Sequence, residues 1–200
     1  MLNLTKVLEL TEEQKRIIRD FGVLTEAHWK QRETKLRKAI RSTLMDMQNN
    51  FCVYCGCPTH GEEDVEHIAH KADYPQFLFT PQNLAYSCKI CNQTFKGQTD
   101  VVRLLSTDYD ACQFNIVHPY LDDVDHYFDT SKLQIKIRSN LTPQEYEKAD
   151  TTYILLHWED PAVVLRRAGA FAIQKYSEEH GTTLVQMLLD DTLVYKPGML

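Results

Sequence analysis

Two pairs of cysteines have the spacing of a metal site. Cys52-Val-Tyr-Cys55 and Cys88-Lys-Ile-Cys91 are C-x-x-C pairs with 32 residues between them. Each pair brings two sulfurs to a tight turn, and two facing turns give four thiolates suited to tetrahedral Zn²⁺. A simple zinc ribbon has only ~15–20 residues between its pairs, so we expect a functional element between these two.

Other residues leave alternatives for this site. Cys57 lies close behind Cys55, and His60 follows it, so either could replace one of the sulfurs. A thioredoxin-like redox pair would also contain C-x-x-C, but it requires a βαβ pattern that is absent here. We expect Cys57 and Cys112 to be buried or partly exposed thiols, and we favour a site of four cysteines.

The segment between the cysteine pairs is rich in acidic, imidazole and amide side chains. The pattern predicts a strand over 65–69, a second strand near 84–87 and a helix from about residue 92. Successive strand residues point to opposite faces, so an acidic residue and its histidine neighbour would serve different tasks. A zinc ion joining strand and helix would gather four side chains in one cleft: Glu66, His67, Asn83 and Asn92.

The strings CVYC, EHIAHK and PQNLAYSCKICNQTFKG, in this order, resemble the HNH endonucleases. The resemblance covers about residues 51–98 and implies a ββα-metal (His-Me finger) core with a structural zinc. It implies that His67 is the first histidine of the motif, Asn83 the central asparagine and Asn92 the third position. Glu66 matches the acidic residue before the base.

The sequence departs from the family pattern at two positions. His70 stands where the family often has proline, and Asn92 stands where it often has histidine. An asparagine still offers a hard carbonyl oxygen to a metal, although softer metals become less favoured. We leave His70 without a catalytic role.

Phosphodiester hydrolysis gives each of these residues a chemical role. The reaction needs an activated water and a cation that absorbs negative charge. Neutral His67 could take the proton of the water near pH 7. Glu66 and Asn92 would supply two oxygens to catalytic Mg²⁺ or Mn²⁺. Asn83 would hold His67 in orientation, and Lys96 could pair with a phosphate.

A second resemblance lies beyond this core. His118-Pro-Tyr-Leu-Asp-Asp123, followed by His126-Tyr127-Phe128, is similar to the nuclease subunits of anti-phage ATPase–nuclease pairs of the Septu type and their retron-associated relatives. The resemblance implies an ATPase partner. The alternative is a turn at Pro119 packed by its aromatic neighbours. We assign His118 and His126 no catalytic role.

An amphipathic helix is predicted from Thr25 to about Asn49. Apolar residues recur along it at helical spacing, namely Trp29, Leu36, Ile40, Leu44, Met47 and Phe51. Four basic residues gather beside this stripe: Lys30, Arg37, Lys38 and Arg41. Such clusters are usually solvated, but beside a nuclease motif we interpret them as substrate-binding residues.

Charge divides the chain unevenly. The net charge is -6, and residues 1–100 contain 13 basic and 13 acidic residues, against 9 and 15 in residues 101–200. One interpretation of the acidic half is that its surface charge keeps the protein in solution, which is a common role of such charge. We favour a basic protein patch as its partner, with Tyr120, Tyr127 and Phe128 as a docking core beside Asp122 and Asp123, unless these aromatic residues pack inside.

Start and stop signals predict the remaining elements. Thr11 to Gln14 forms a capping box for a helix to about Asp20, and alternation predicts a strand over 132–138. Thr142-Pro143 starts a helix to about Trp158, Asp160-Pro161 starts one to near Gly181, and residues 182–194 form a short last helix.

We therefore predict an α+β protein with three regions: an N-terminal helical arm (1–50), a zinc-stapled HNH nuclease core (51–100) and a mostly helical C-terminal region (101–200). No apolar run approaches the ~20 residues of a membrane span, and MLNLTKVLEL does not resemble a signal peptide, so we expect a cytoplasmic protein.

The predicted activity is metal-dependent endonucleolytic cleavage of DNA or RNA. Two alternatives remain: a zinc ribbon that binds nucleic acid without cutting it, and a restriction-type HNH nuclease that acts alone. The combination of Glu66, His67 and Asn92 argues against pure binding, which requires none of them. The acidic net charge offers little DNA-binding surface to a nuclease acting alone.

Overall fold

The computed structural model describes residues 1–31, 35–59 and 63–180 of the chain. His60, the alternative zinc ligand, and the helix expected at 182–194 lie outside the described residues. Within the described ranges the chain is a mixed α+β protein whose three small sheets each contain two antiparallel strands. No described helix has the length and apolar composition needed to cross a lipid bilayer.

Three helices form the N-terminal arm. Helix α1 (Glu12–Arg19) begins with the expected capping box between Thr11 and Gln14. Within the helix expected over 25–49, the described residues form α2 (Ala27–Gln31) and α3 (Leu36–Met47), and Lys35 just before α3 is a turn residue. Four positions of its apolar stripe are buried, Met47 is half-buried and Phe51 is exposed: the buried four are Trp29, Leu36, Ile40 and Leu44.

A hairpin-like pair of strands lies under α3. Strand β1 (Asp64–His67) pairs with β2 (Leu84–Ser87) in antiparallel register, with His67 opposite Leu84. The stripe of α3 packs on Val65, Leu84 and Tyr86 of this sheet. At the end of α3, the Gln48 side chain donates to the Tyr86 carbonyl at 2.8 Å and accepts from the Tyr86 amide at 2.7 Å. These bonds fix the helix against the strand.

A short π-helix (Ile90–Lys96) follows β2 directly. The chain continues through β3 (Val102–Leu104) and β4 (Gln113–Phe114), which pair with each other. Helix α4 (Val124–Tyr127) leads into β5 (Phe128–Asp129), which pairs with β6 (Lys136–Ile137). Of the strand expected over 132–138, only residues 136–137 form a strand, and they pair with the two residues of β5.

Two longer helices complete the described chain. Helix α5 (Pro143–Leu155) has the expected capping box of Thr142 and Glu145 with proline at its first turn. Helix α6 (Pro161–His180) begins at the expected proline. On α5, the Thr152 hydroxyl accepts a hydrogen bond from the Val117 amide at 2.7 Å, so this helix is anchored to the preceding region.

The expected docking core is wrong, because its aromatic residues pack inside. Phe128 is fully buried, Tyr127 is nearly so, and the Tyr120 hydroxyl donates to the Leu84 carbonyl at 2.9 Å. The neighbouring aspartates are also engaged. Asp122 pairs with Lys148 at 2.7 Å, and Asp123 caps α4.

Candidate functional site

Four cysteines form a cluster that fits a zinc ion. The Sγ atoms of Cys52, Cys55, Cys88 and Cys91 all lie within 4.8 Å of one another, and all four residues are buried. Tetrahedral Zn²⁺ with Zn–S bonds of ~2.3 Å separates its sulfurs by about 3.8 Å, close to this arrangement. Cys57 is not part of this cluster of four sulfurs, and its thiol donates to the Cys55 carbonyl oxygen at 3.9 Å. Cys112 is buried elsewhere.

Local backbone geometry forms the two turns. In the first, the Gly56 amide donates to the Cys52 carbonyl at 2.9 Å, and Gly56 has φ +64°, a conformation that glycine adopts without strain. In the second, the Asn92 amide donates to the Cys88 carbonyl at 2.9 Å as the π-helix begins. The cysteine cluster therefore joins the chain just before the β1–β2 pair to the helix just after it.

Two arginines of α6 reach the cysteine cluster. Arg166 donates to the Cys88 Sγ atom at 3.5 Å. Arg167 donates to the Cys55 carbonyl at 2.7 Å and also to backbone carbonyls of residues 130, 132 and 133. Four thiolates around Zn²⁺ carry a net negative charge, which nearby guanidinium groups stabilise. Sequence reasoning missed both arginines, because no spacing links them to the cysteines.

A cleft of about 510 Å³ opens between the N-terminal helices, β1 and the π-helix. Among the predicted site residues, six line it: Lys30, Arg37, Glu66, His67, Asn92 and Lys96. Lys38 and Arg41 do not line it. Lys38 is exposed on α3, and Arg41 lies 3.5 Å from the Glu63 carbonyl oxygen. Asn83 is fully buried behind the cleft.

Glu66 is held by two buried partners. Its Oε1 atom accepts a hydrogen bond from the Tyr54 hydroxyl at 3.0 Å and pairs with the Lys96 ammonium at 2.8 Å. Lys96 is 1% exposed and also donates to the His67 carbonyl at 3.2 Å. The charge of Lys96 is therefore directed at Glu66. No described residue hydrogen-bonds the second carboxylate oxygen, Oε2.

His67 has a defined tautomer. Its Nε2 atom lies 3.1 Å from the Leu78 carbonyl oxygen, which can only accept, so Nε2 bears the proton and Nδ1 bears the lone pair. The edge of the Trp29 ring packs on the imidazole with centroids 4.4 Å apart. Burial, aided by the charges of Lys71 and Lys96, lowers the pKa of His67 to about 3. The ring is neutral at pH 7.

Asn83 fastens the loop that follows β1. Its Oδ1 atom accepts from the Ala69 amide at 2.7 Å. Its Nδ2 group donates to the carbonyls of Ala69 at 3.1 Å and Phe77 at 3.0 Å. These bonds close the loop over 69–77 at both ends.

A buried tyrosine and histidine stand behind Asn83. The Tyr109 hydroxyl donates to Asn83 Oδ1 at 3.0 Å and lies 2.9 Å from His118 Nε2. His118 Nδ1 accepts from the amides of Tyr120 and Leu121, so Nε2 bears the proton. Burial, together with the charge of Lys148, lowers the pKa of His118 to about 3.

Of the three histidine and asparagine residues not yet described, Asn92 and His70 line the cleft and His126 does not. Asn92 is half-buried in the π-helix, an irregular helix type that is frequent at functional sites. His70 lines the cleft with its Nδ1 atom 3.0 Å from Asp73. His126 lies outside the cleft and contacts Glu145 at 3.0 Å.

Removing one zinc ligand should unfold the site. We expect about one Zn²⁺ per chain by elemental analysis, and Cys88→Ser should lose both zinc and cooperative unfolding, because a structural site supplies folding free energy. Cys112→Ser is the matched control: it changes a buried thiol outside the cluster and should retain zinc. Soluble wild-type protein without zinc would contradict the assignment.

Mild acid should destabilise the fold through His118. Its pKa is about 3 when folded and 6.5 in a model peptide, so between these values the unfolded chain binds the extra proton. The contribution of neutral His118 is complete above pH 6.5 and is lost as the pH falls, by about 1.4 kcal/mol per pH unit. Urea unfolding at pH 7.0 and 5.5, with zinc saturating, measures this loss.

The variant His118→Gln isolates the contribution of this histidine. Glutamine offers hydrogen-bonding groups without titrating, so the free energy of unfolding of the variant should fall by about 1 kcal/mol less than that of wild type between pH 7.0 and 5.5. Both proteins share the zinc site and every other titrating group. An equal decrease of the free energy of unfolding in the two proteins would show that His118 does not contribute to the loss of stability in acid.

No protein-family model matches the sequence. A segment of 56 residues is 43% identical to the Septu protein PtuB of Bacillus thuringiensis. The alignment covers 26% of this chain and 22% of PtuB, so the chain matches less than a quarter of that relative's length. Over this segment the chain is similar to a Septu protein.

Proposed function

We propose that the chain is a metal-dependent HNH endonuclease that hydrolyses phosphodiester bonds of nucleic acid in an anti-phage defence system with an ATPase subunit. One observation carries the catalytic part: Glu66, His67 and Asn92 line a single cleft beside a cysteine cluster that fits zinc. The similarity to a Septu protein supports the defence role.

The rim of the cleft is suited to a polyanion. Lys30, Arg37 and Lys71 line it, although the chain as a whole has a net charge of -6. The Lys30 side chain is 70% exposed, and the Arg37 guanidinium lies 5.8 Å from the centre of the Trp29 ring. Cations at the mouth of a cleft attract phosphate groups and release counterions when these bind.

His67 is arranged to act as the general base. The Leu78 carbonyl holds the Nε2 proton, which leaves the Nδ1 lone pair to take a proton from the attacking water. A pKa of about 3 makes the free imidazole a weak base. A bound phosphodiester adds negative charge to the cleft, which raises the pKa of a neighbouring histidine toward the working range.

Glu66 and Asn92 would hold the catalytic metal. The donors are a carboxylate oxygen and an amide oxygen, both hard ligands preferred by Mg²⁺ or Mn²⁺. When bound, the ion supplies positive charge against the developing charge of the phosphate. Tyr54 and Lys96 both contact Oε1 of Glu66, so they fix the carboxylate while its Oε2 remains available to the metal.

Substitutions should separate catalysis from folding. We expect His67→Ala to lower cleavage about 10²- to 10⁴-fold, the usual contribution of a general base, while zinc content stays at wild-type level. Glu66→Gln and Asn92→Ala should in addition raise the Mg²⁺ concentration needed for half-maximal rate. Glutamine is used at position 66 because it keeps the shape that surrounds Lys96.

The assay compares purified variants on plasmid DNA and on total RNA, with Mg²⁺ and with chelator. Lys175→Ala, an exposed lysine of α6 outside the cleft, is the control and should cleave like wild type. Wild-type cleavage by His67→Ala would refute the assignment of the base. Binding of nucleic acid without cleavage, alone and with the partner, would favour the zinc-ribbon alternative.

A different part of the acidic half fits a basic partner. A groove of about 870 Å³ lies beside α5 and β6, and its lining includes Asp150, Glu159 and Asp160. Two apolar side chains on the same groove are exposed, Tyr146 at 51% and Ile154 at 63%. Carboxylates beside exposed apolar surface suit a basic, partly apolar segment of the ATPase.

Charge reversal in this groove tests the partner proposal. Co-expressed with the ATPase subunit of its system, wild type should co-elute in size-exclusion chromatography, and Asp150→Lys with Glu159→Lys should weaken that complex. Reversal of Glu12 and Glu13 on α1, with the same change in charge, should leave the complex intact. Separate elution of wild type and ATPase at low salt would refute the partnership.

A further inference from the structure

We infer that Tyr109 and His118 are positioning residues that hold the catalytic histidine in place through Asn83. The inference rests on the proposed nuclease function and assigns a task to a histidine that the sequence left without one. Neither residue touches the cleft, and all three side chains are buried. They act through hydrogen bonds that end at the Phe77 carbonyl, one residue before the Leu78 carbonyl that holds the His67 ring.

The last step of this connection runs through two neighbouring residues. Asn83 Nδ2 donates to the Phe77 carbonyl at 3.0 Å. The next carbonyl along the chain, that of Leu78, accepts from His67 Nε2 at 3.1 Å. We therefore expect a shift of the Asn83 amide to displace the peptide that precedes the one orienting the imidazole, and so to move the Leu78 carbonyl with it.

Asn83 has its full set of partners only with Tyr109 in place. Its amide group donates twice, and its Oδ1 atom accepts twice, from the Ala69 amide and from the Tyr109 hydroxyl. An asparagine side chain offers two donors and an acceptor with two lone pairs, so this set is complete. Removing the Tyr109 hydroxyl would leave the buried Oδ1 atom with a single donor.

His118 fixes the direction of the Tyr109 hydroxyl. Its protonated Nε2 donates to the Tyr109 oxygen, so the tyrosine proton is directed at Asn83. The histidine is anchored independently of the loop. Its amide donates to Asp122 at 2.6 Å, and Asp122 pairs with Lys148 of α5 at 2.7 Å. A rigid region outside the cleft therefore supports the loop beside His67.

The network explains why this position holds a histidine and a tyrosine rather than apolar residues of the same size. Buried polar groups cost stability unless every member is satisfied, and here each hydrogen bond has one consistent donor and acceptor. A small displacement of a catalytic group can cost about 100-fold in rate, so precise support of His67 has a kinetic value.

Tyr109→Phe is the deciding variant, because it removes one oxygen and keeps the ring. The matched control is Tyr120→Phe, which removes a tyrosine hydroxyl that donates to the carbonyl of Leu84, the residue next to Asn83. We expect Tyr109→Phe to lower kcat at least 10-fold with KM within twofold of wild type. Tyr120→Phe should show a similar loss of Tm with kcat within twofold. Equal kcat losses in the two variants would overturn the inference.

A double variant tests whether the histidine acts through the tyrosine. If it does, adding His118→Gln to Tyr109→Phe should lower kcat by no more than twofold further, because the route to Asn83 is already cut. If the kcat loss of the double variant equals the product of the losses in the two single variants, the proposed route is wrong.

A measurement without substrate keeps this inference distinct from the proposed function. In ¹⁵N spectra, the side-chain amide signals of Asn83 should shift, and the Nε2 proton of His67 should exchange faster, in Tyr109→Phe but not in Tyr120→Phe. Unchanged signals in Tyr109→Phe would refute positioning even in an active nuclease. The expected signals in a protein that cleaves nothing, alone or with its partner, would refute the nuclease proposal while leaving the connection from Tyr109 to His67 in place.

Discussion

The cluster of four buried cysteines is the constraint on which the arrangement of the candidate site depends. Strands β1 and β2 are four residues each, and a two-stranded sheet of this length is marginal in water. The cysteine cluster joins the chain before β1 to the helix after β2, so a single metal ion would add folding free energy to the packing of this sheet on α3. Every proposed catalytic side chain lies between or next to these cysteines. The site is therefore only as stable as the cluster.

The space beside the cluster is filled with polar groups that are individually expensive to bury. Glu66 and Lys96 form an ion pair with almost no solvent exposure, and breaking such a pair by removing one partner typically costs about 3–5 kcal/mol. His67 and Asn83 are buried with carbonyl partners. Apolar residues of similar volume would stabilise this interior at least equally. The polar set is understandable if these groups position one another for chemistry, which is the basis of the proposed function.

The C-terminal half contributes to the site from outside the cleft. Arg166 and Arg167 bring α6 onto the cysteine cluster, and His118 connects the region before α5 to Asn83. The aromatic residues of this half that were expected to dock a partner are not the ones that lie beside its exposed carboxylates. Tyr127 and Phe128 are interior, whereas the exposed Tyr146 and Ile154 lie beside carboxylates. The groove that we propose for a basic partner therefore has a lining separate from that of the cleft.

The local features of this protein could be predicted from the amino-acid sequence alone. The cysteine pairs predicted the cluster, capping boxes predicted the starts of α1 and α5, and the apolar stripe predicted which side of α3 is buried. These features depend on spacing along the chain, which a single sequence displays directly. The contacts between distant segments are visible only in the folded structure. Three features could not be predicted: the pair of Lys96 with Glu66, the contacts of Tyr109 with His118 and Asn83, and the interior position of Phe128. Each depends on contacts between distant segments, which no local pattern encodes.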